Sequence, residues 1–292
     1  MASLKEVKER IGSVSSTQQI TKAVKMVAAA KLRRAQDRIV QLRPYSEKLG
    51  ALLANVSSGN TEEGMSTFTE AREVNRVLFI AVTSDRGLCG GFNANVFKAV
   101  KNALKNEEYA NAEVEAMPMG KKSFDFFRKK GGPVNDKYWD VFGNLSFESV
   151  REAAEDAMDG FASGKYDRVV LVYNEFKNVA TQIVKTEQFL PIVELATAEG
   201  AATTNTDYIY EPSKDYIVDE LIPKSLKIQL YKAVLESNAS EHGARMTAMG
   251  KATDNADDLL KELKLTYNRT RQAAITKEIL EIVGGAEALA SD

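Results

Sequence analysis

LKEVKERIGSVSSTQQITKAVKMVAAAKLRRAQDRIVQLRPYSEKLGALLANVS, Leu4 to Ser57, is interrupted by one proline, Pro44, and predicts a helix far longer than the usual roughly 12 residues. The far end of the chain matches it, because no proline occurs between Lys224 and Asp292. At roughly 1.5 Å per residue the first stretch spans about 80 Å and the last about 100 Å. No compact core buries rods of that length. They have to pack on each other, and whatever reaches past the pairing needs another molecule or water.

Periodicity supports that pairing. Apolar residues of the first helix recur at Val7, Ile11, Val14, then Ile20, Val24, Val27, then Ala35, Ile39, Leu42, then Leu49, Leu53, Val56. These 4-3 spacings, with two slips, predict a coiled-coil seam with discontinuities. The last helix carries small residues, Ala233, Ser237, Ser240, Ala244 and Ala248, which allow a close approach to Ala28, Ala29 or Ala30 in an antiparallel pair. Pro44 is expected to kink or break the first helix, since it removes a donor and crowds the preceding turn.

Between the two helices the pattern changes. Arg76 to Asp85 (RVLFIAVTSD) reads as a strand, Asn93 to Asn106 as a helix, Ala112 to Met119 as a second strand and Lys121 to Lys130 as a short helix. A longer helix follows from Phe147 to Ser163, then a strand from Arg168 to Phe176 and another from Gln182 to Leu190, hairpin-paired across Lys177 to Thr181. The Ala- and Thr-rich stretch Glu194 to Asn205 reads as a loop or mobile segment. Strands separated by helices imply a parallel or mixed sheet. The expected class is α+β or α/β, with a long antiparallel coiled coil of the N- and C-terminal helices (residues 1–57 and 213–292) and a Rossmann-like mixed α/β domain (residues 58–212).

Composition limits function before any motif does. The chain has 292 residues, 44% hydrophobic and 27% charged, with net charge -2. No apolar run approaches the ~20 residues that cross a bilayer, so no direct membrane span is expected. The N-terminus MASLKEVKERIGS lacks the apolar core of a secretory signal and holds acidic residues uncommon in transit peptides. A lone Cys89 allows no internal disulfide, which favours a reducing, cytoplasmic setting. Charge is unevenly spread: residues 1–57 carry a net +7 and residues 58–212 a net -7. Lys22, Lys25, Lys31, Arg33, Arg34, Arg38 and Arg43 fall on several faces of the first helix, with Asp37 alone opposing them. A helix basic on most sides seeks an acidic partner or a polyanion.

Motifs for chemistry are thin. SDRGLCGGFN, Ser84 to Asn93, lies between a strand and a helix, where phosphate loops sit. Its glycines, Gly87, Gly90 and Gly91, match neither GxGxxG nor GxxxxGK[ST], so a tight strand-to-helix turn is the better reading. His242 is the only histidine, and with Cys89 it makes no metal-ligand set. A serine nucleophile would have to recruit it from a long helix, a poor frame for such a site. Asp254, Asp257 and Asp258 read as a solvated helix face. No catalytic, cofactor-binding or metal-ligating residue is therefore expected. A dinucleotide enzyme and a coiled coil that binds nucleic acid are the rival readings, and the acidic middle and apolar C-terminal tip argue against both.

KAVKMVAAAKLRRAQ (Lys22 to Gln36), SDRGLCGGFN, GARMTAMGKATDNAD (Gly243 to Asp257) and RQAAITKEILEIVGGAEAL (Arg271 to Leu289) occur in one order along the chain. Together they resemble the gamma subunits of F-type ATP synthases, over essentially the whole chain. The resemblance implies a central shaft entering the alpha/beta catalytic hexamer, with the α/β part as a foot against the epsilon subunit and the c-ring of the membrane sector. It implies no active site, no cofactor and no nucleic-acid partner, and a place on the cytoplasmic face of a bacterial plasma membrane. Such a subunit turns with ion flow through the ring and drives the beta subunits through states of different nucleotide affinity. Arg271, Gln272 and Thr276 match polar contacts to a beta-subunit loop. Ile275, Ile279, Leu280, Ile282, Val283 and Leu289 are expected to turn inside an apolar collar. Lys22, Lys25, Arg33 and Arg34 are expected to face acidic beta-subunit loops, and Met26, in the same motif and counted with these partner contacts, is expected to pack in the seam rather than take a special role. Chloroplast relatives add a regulatory segment with paired cysteines, a switch that Cys89 alone does not supply.

Overall fold

The structure, a computed structural model, describes residues 3–57, 67–109, 111–192 and 214–290. The elements run α1 (Leu4–Ser57), β1 (Arg76–Val82), α2 (Phe92–Ala103), β2 (Glu113–Met119), α3 (Lys121–Lys130), α4 (Phe147–Ala162), β3 (Arg168–Phe176), β4 (Gln182–Leu190) and α5 (Lys214–Ala290). The expected loop at Glu194 to Asn205 and the side chains of Leu53, Val56 and Leu289 lie outside the described residues. Two compact units result: Met1–Val27 with Met246–Asp292, and Ala28–Arg245.

The larger unit holds a four-stranded sheet of order β2-β1-β3-β4. Strand β1 is parallel to β2 and β3, while β4 returns antiparallel to β3 through the expected hairpin. Strand β1 is buried on both faces, which is why it reads as a continuous apolar run. Leu78, Ile80 and Val82 point to a core shared with Ala153, Ala157 and Phe161 of α4 and Leu226, Leu230 and Val234 of α5. Val77, Phe79 and Ala81 alternate to the opposite face, against Val96 and Val100 of α2 and Phe127 of α3. The mixed sheet and the two long helices agree with the expected class.

Boundaries differ where side chains redirect the backbone. The run Thr83 to Asp85, expected as strand, leaves the sheet to hold the start of α3. Thr83 Oγ1 accepts from Ser123 N at 2.8 Å, and Asp85 Oδ1 accepts from Lys121 N at 3.0 Å. Helix α2 stops at Ala103, where the Leu104 N–H closes the last turn onto Val100 O. Pro44 does not end α1. Both Pro44 and Val40, whose carbonyl loses its partner, lie on the exposed side of the helix, where water can satisfy the freed carbonyl. Helix α5 begins ten residues before the proline-free stretch and carries Pro223 inside it.

The seam of α1 is also different from its apolar reading. Val7, Ile11, Val14, Gln18, Thr21, Ala28, Leu32, Ala35, Ile39, Leu42, Ser46 and Leu49 are among the buried or half-buried positions and follow a 4-3 register, except that in the turn between Thr21 and Ala28 the half-buried residue is Val24 and Lys25 is exposed. Ile20 and Val27, which suggested the slips, are 63% and 57% exposed. Polar residues occupy the seam, and hydrophobicity alone could not find them.

The small residues of α5 are spent differently as well. Ser240 Oγ donates to Asn174 O of β3 at 3.1 Å. A Cβ on Gly243 would lie 3.4 Å from the Phe176 ring and 3.6 Å from Val179, so this glycine admits the β3–β4 hairpin. Of the three alanines expected at the pairing, Ala28 is buried, Ala29 half-buried and Ala30 exposed.

Candidate functional site

The Gly-rich turn turns its carbonyls, not its N–H groups, to a partner. Leu88 and Gly90 both adopt positive φ, at 65° and 59°, and Ser84 Oγ donates to Arg86 O at 2.6 Å. Arg245 of α5 donates from Nη2 to Arg86 O and Gly87 O, at 3.1 Å each. The same guanidinium pairs with Glu241, one turn earlier on α5. Glu241 is buried, and burial pushes its carboxyl above the usual range although Arg245 pulls the other way. A phosphate cradle needs free N–H groups at a helix start. Here the loop instead locks α5 to the sheet. Sequence reasoning missed Glu241 and Arg245, whose i, i+4 spacing was the available signal.

Within the smaller unit, α1 and α5 run antiparallel. Gln18 Nε2 donates to Asp257, Thr21 and Thr253 hydroxyls meet at 2.9 Å, and a Cβ on Gly250 would lie 3.5 Å from Lys25 Nζ. Glycine at 250 leaves room for the lysine stem to cross the seam. Lys22, Lys25 and Met26, at i, i+3 and i+4, share an outward face. Met26, expected to pack in the seam, is 61% exposed, because Val24 and Ala28 take the half-buried and buried places on either side of it. In the larger unit Arg33 and Arg34 are exposed on α1.

On α5 the buried or half-buried positions Met249, Thr253, Ala256, Leu260, Leu263, Tyr267, Thr270 and Ala274 keep a 4-3 register. The pairs Gln18 with Asp257 and Thr21 with Thr253 set the offset, and carried on at that offset the first turn of α1 at Leu4 falls beside Arg271. Beyond it the helix has outrun its partner. Arg271, Gln272 and Thr276 are exposed. Ile279, Leu280, Ile282 and Val283 are 54%, 66%, 71% and 54% exposed. These apolar side chains fall on more than one side of the helix and are covered by none of the described residues. The structure thus places the ten candidate residues on the surface, in separate patches: a basic face on α1, the α1 arginines of the larger unit and the bare end of α5.

Comparison with known proteins bears on the chain as a whole. A family model described as ATP synthase matches residues 3–289. The ATP synthase gamma chain of Cytophaga hutchinsonii is 60% identical over 294 residues, covering 99% of each chain. That of Flavobacterium johnsoniae is 56% identical over 289 residues, again 99% of each. In fold, the chain is similar to one in the Euglena gracilis mitochondrial ATP synthase structure described as OSCP/F1/c-ring, rotational state 3. The TM-score is 0.65, with 22% identity, over 99% of this chain and 95% of that one. A second likeness, at TM-score 0.55 and 24% identity, is to a chain of the Tetrahymena thermophila mitochondrial ATP synthase central stalk and c-ring, covering 80% of this chain and 99% of that one. Identity of that extent, carried from the first helix to the last through the sheet between them, shows that the chain belongs to the ATP synthase gamma-chain family.

Proposed function

We propose that this chain is the central-stalk rotor of a bacterial F-type ATP synthase, a subunit without an active site that couples ion flow through the c-ring to conformational change in the alpha/beta hexamer. Residues 1–57 and 213–292 act as the shaft and residues 58–212 as the foot. The observation that carries the reading is the bare end of α5. A helix with Ile279, Leu280, Ile282 and Val283 all more than half exposed is unfavourable in water and favoured inside an apolar sleeve. The alpha and beta subunits supply that sleeve, and the foot meets the epsilon subunit and the c-ring. No helix among the described residues is long and apolar enough to cross a membrane. The subunit is held peripherally, on the cytoplasmic face of the plasma membrane, through the ring.

Arg271, Gln272 and Thr276, where the tip leaves α1, give polar contacts to a beta-subunit loop. Inside the hexamer they are desolvated, and a charge-assisted hydrogen bond contributes about 1.5–3 kcal/mol. Replacing Arg271 and Gln272 together by Ala lowers ATP synthesis in the reconstituted enzyme by about tenfold or more, a loss of that size. Unchanged synthesis and hydrolysis would refute the contact.

Lys22, Lys25, Arg33 and Arg34 face acidic loops of the beta subunits across water, which lets attraction guide rotation without locking it. Met26 completes the Lys22 and Lys25 face as an exposed apolar contact. Lys25→Glu with Arg33→Glu changes hydrolysis several-fold at low ionic strength, where screening acts over about 30 Å at 0.01 M, and the difference fades toward 0.15 M, where it acts over about 8 Å. A salt-independent change rules the electrostatic account out.

A further inference from the structure

One buried group has no part in that reading. The side chain of His242 is 8% exposed, and its Nδ1 is buried without a hydrogen-bond partner. It lines a cleft of about 300 Å³ within the larger unit, together with Asn238 of α5, Lys31, Arg34 and Arg38 of α1, and the turn at Gly143 before α4. Positions 31, 34 and 38 lie on one face of α1, so three cations look into the same space. No acidic side chain lines it, and none of the three makes an ion pair among the described residues. Glu241, the residue before His242 on α5, is paired with Arg245.

Lys31, Arg34 and Arg38 are exposed cations set around one cleft without a counter-charge in its lining, and like charges repel one another. An anion seated among them relieves that repulsion. We propose that this cleft is a binding site for a small oxyanion of the phosphate class. The Arg34 and Arg38 guanidiniums present planar forks that match two oxygens of a tetrahedral oxyanion. Lys31 adds a point charge, and the Asn238 amide and the imidazole add neutral donors. Burial, then the charges of Arg245 and Lys31, hold His242 neutral, with its pKa lowered to about 4. A neutral ring keeps one N–H to give. The phosphate group can come from free phosphate or from the tail of a nucleotide. Arg38 lies outside the beta-subunit contacts proposed above, so the two readings fail separately.

The chain holds one histidine, so its imidazole signal in a nuclear magnetic resonance spectrum needs no assignment. Inorganic phosphate added to the purified full chain at low salt moves that signal saturably, with one-to-one stoichiometry. Arg38→Ala weakens the titration about tenfold or more, the loss of one charge-assisted hydrogen bond, and Arg38→Lys, which keeps the charge but not the fork, falls between. Fluorescence of the single tryptophan, Trp139, verifies that each variant remains folded. A parallel titration with ATP separates the sources: tighter binding than phosphate assigns the site to a nucleotide tail, and equal or weaker binding assigns it to the free ion. A signal unmoved by both at millimolar concentration, or moved equally in Arg38→Ala, overturns the proposal.

Discussion

Gly120→Ala costs about 3–5 kcal/mol of folding stability, the sum of left-handed strain at a non-glycine residue and an overpacked contact that cannot relax. Gly120 joins β2 to α3 at φ 113°, ψ 143°, a region open in practice to glycine alone. A Cβ there would lie 2.2 Å from Thr83 O and 2.8 Å from Thr83 C, which are backbone atoms at the end of β1. Neither side can yield cheaply. Thr83 N donates to Met119 O at 2.8 Å, Gly120 N donates to Trp139 O at 2.9 Å, and Thr83 Oγ1 accepts from Ser123 N. Moving the strand ends apart breaks these bonds together and opens the sheet where α3 starts.

Two other glycines separate the causes. Gly131, at φ 73° with open space around its missing Cβ, carries the strain without the clash, and Gly132 carries neither. Gly131→Ala costs about 1 kcal/mol and Gly132→Ala close to nothing by the same reasoning. Urea unfolding followed by Trp139 fluorescence measures all three, since the Trp139 carbonyl is itself bonded to Gly120 N. Equal midpoints for Gly120→Ala and Gly131→Ala would show that the contact with Thr83 relaxes without cost.

Acid reveals the second large effect. His242 has its pKa lowered from 6.5 to about 4, through burial first and then through the charges of Arg245 and Lys31. The folded chain therefore binds this proton less readily than the unfolded chain. The stability contributed by the neutral ring is complete above pH 6.5 and is lost as pH falls toward 4, amounting to about 3 kcal/mol. Two carboxyls oppose it. Glu241 and Glu236 are both raised, in each case chiefly by burial, so protonating them as pH falls relieves a cost of the folded state. The total curve is shallower than the histidine alone would make it. His242→Gln removes the histidine contribution and leaves the carboxyls. Relative to the variant, the natural chain loses about 3 kcal/mol between pH 7 and pH 4, read from urea midpoints at intermediate pH values. Parallel pH profiles would mean that His242 is charged or solvated in the folded state.

Much of the candidate surface was legible as composition. The all-round basicity of Lys22 to Arg38 and the several-sided apolar run from Ile275 to Val283 are statements about what a helix carries, and an isolated helix exposes what it carries. The seam was not legible. Gln18 and Thr21 take seam positions while Ile20, Met26 and Val27 face outward, so a search for apolar periodicity missed polar members of the seam. The polar seam holds because Gln18 and Thr21 each meet a fitting partner across it, Asp257 and Thr253, more than 230 positions away in the chain. The Arg245 clamp on Arg86 and Gly87 was hidden for the same reason, as its acceptors are backbone carbonyls that no residue type advertises.

The amino-acid sequence by itself determined the long helices, the alternating strands of the sheet and the family, because length without proline, period and motif order are properties of neighbours along the chain. Only the tertiary structure decided which face of each helix pairs, which serine and glycine of α5 admit β3, and that Lys31, Arg34 and Arg38 share a cleft with His242. Those outcomes depend on distances between segments far apart in sequence, where a hydrogen bond or a missing Cβ outweighs the local preference for apolar contact.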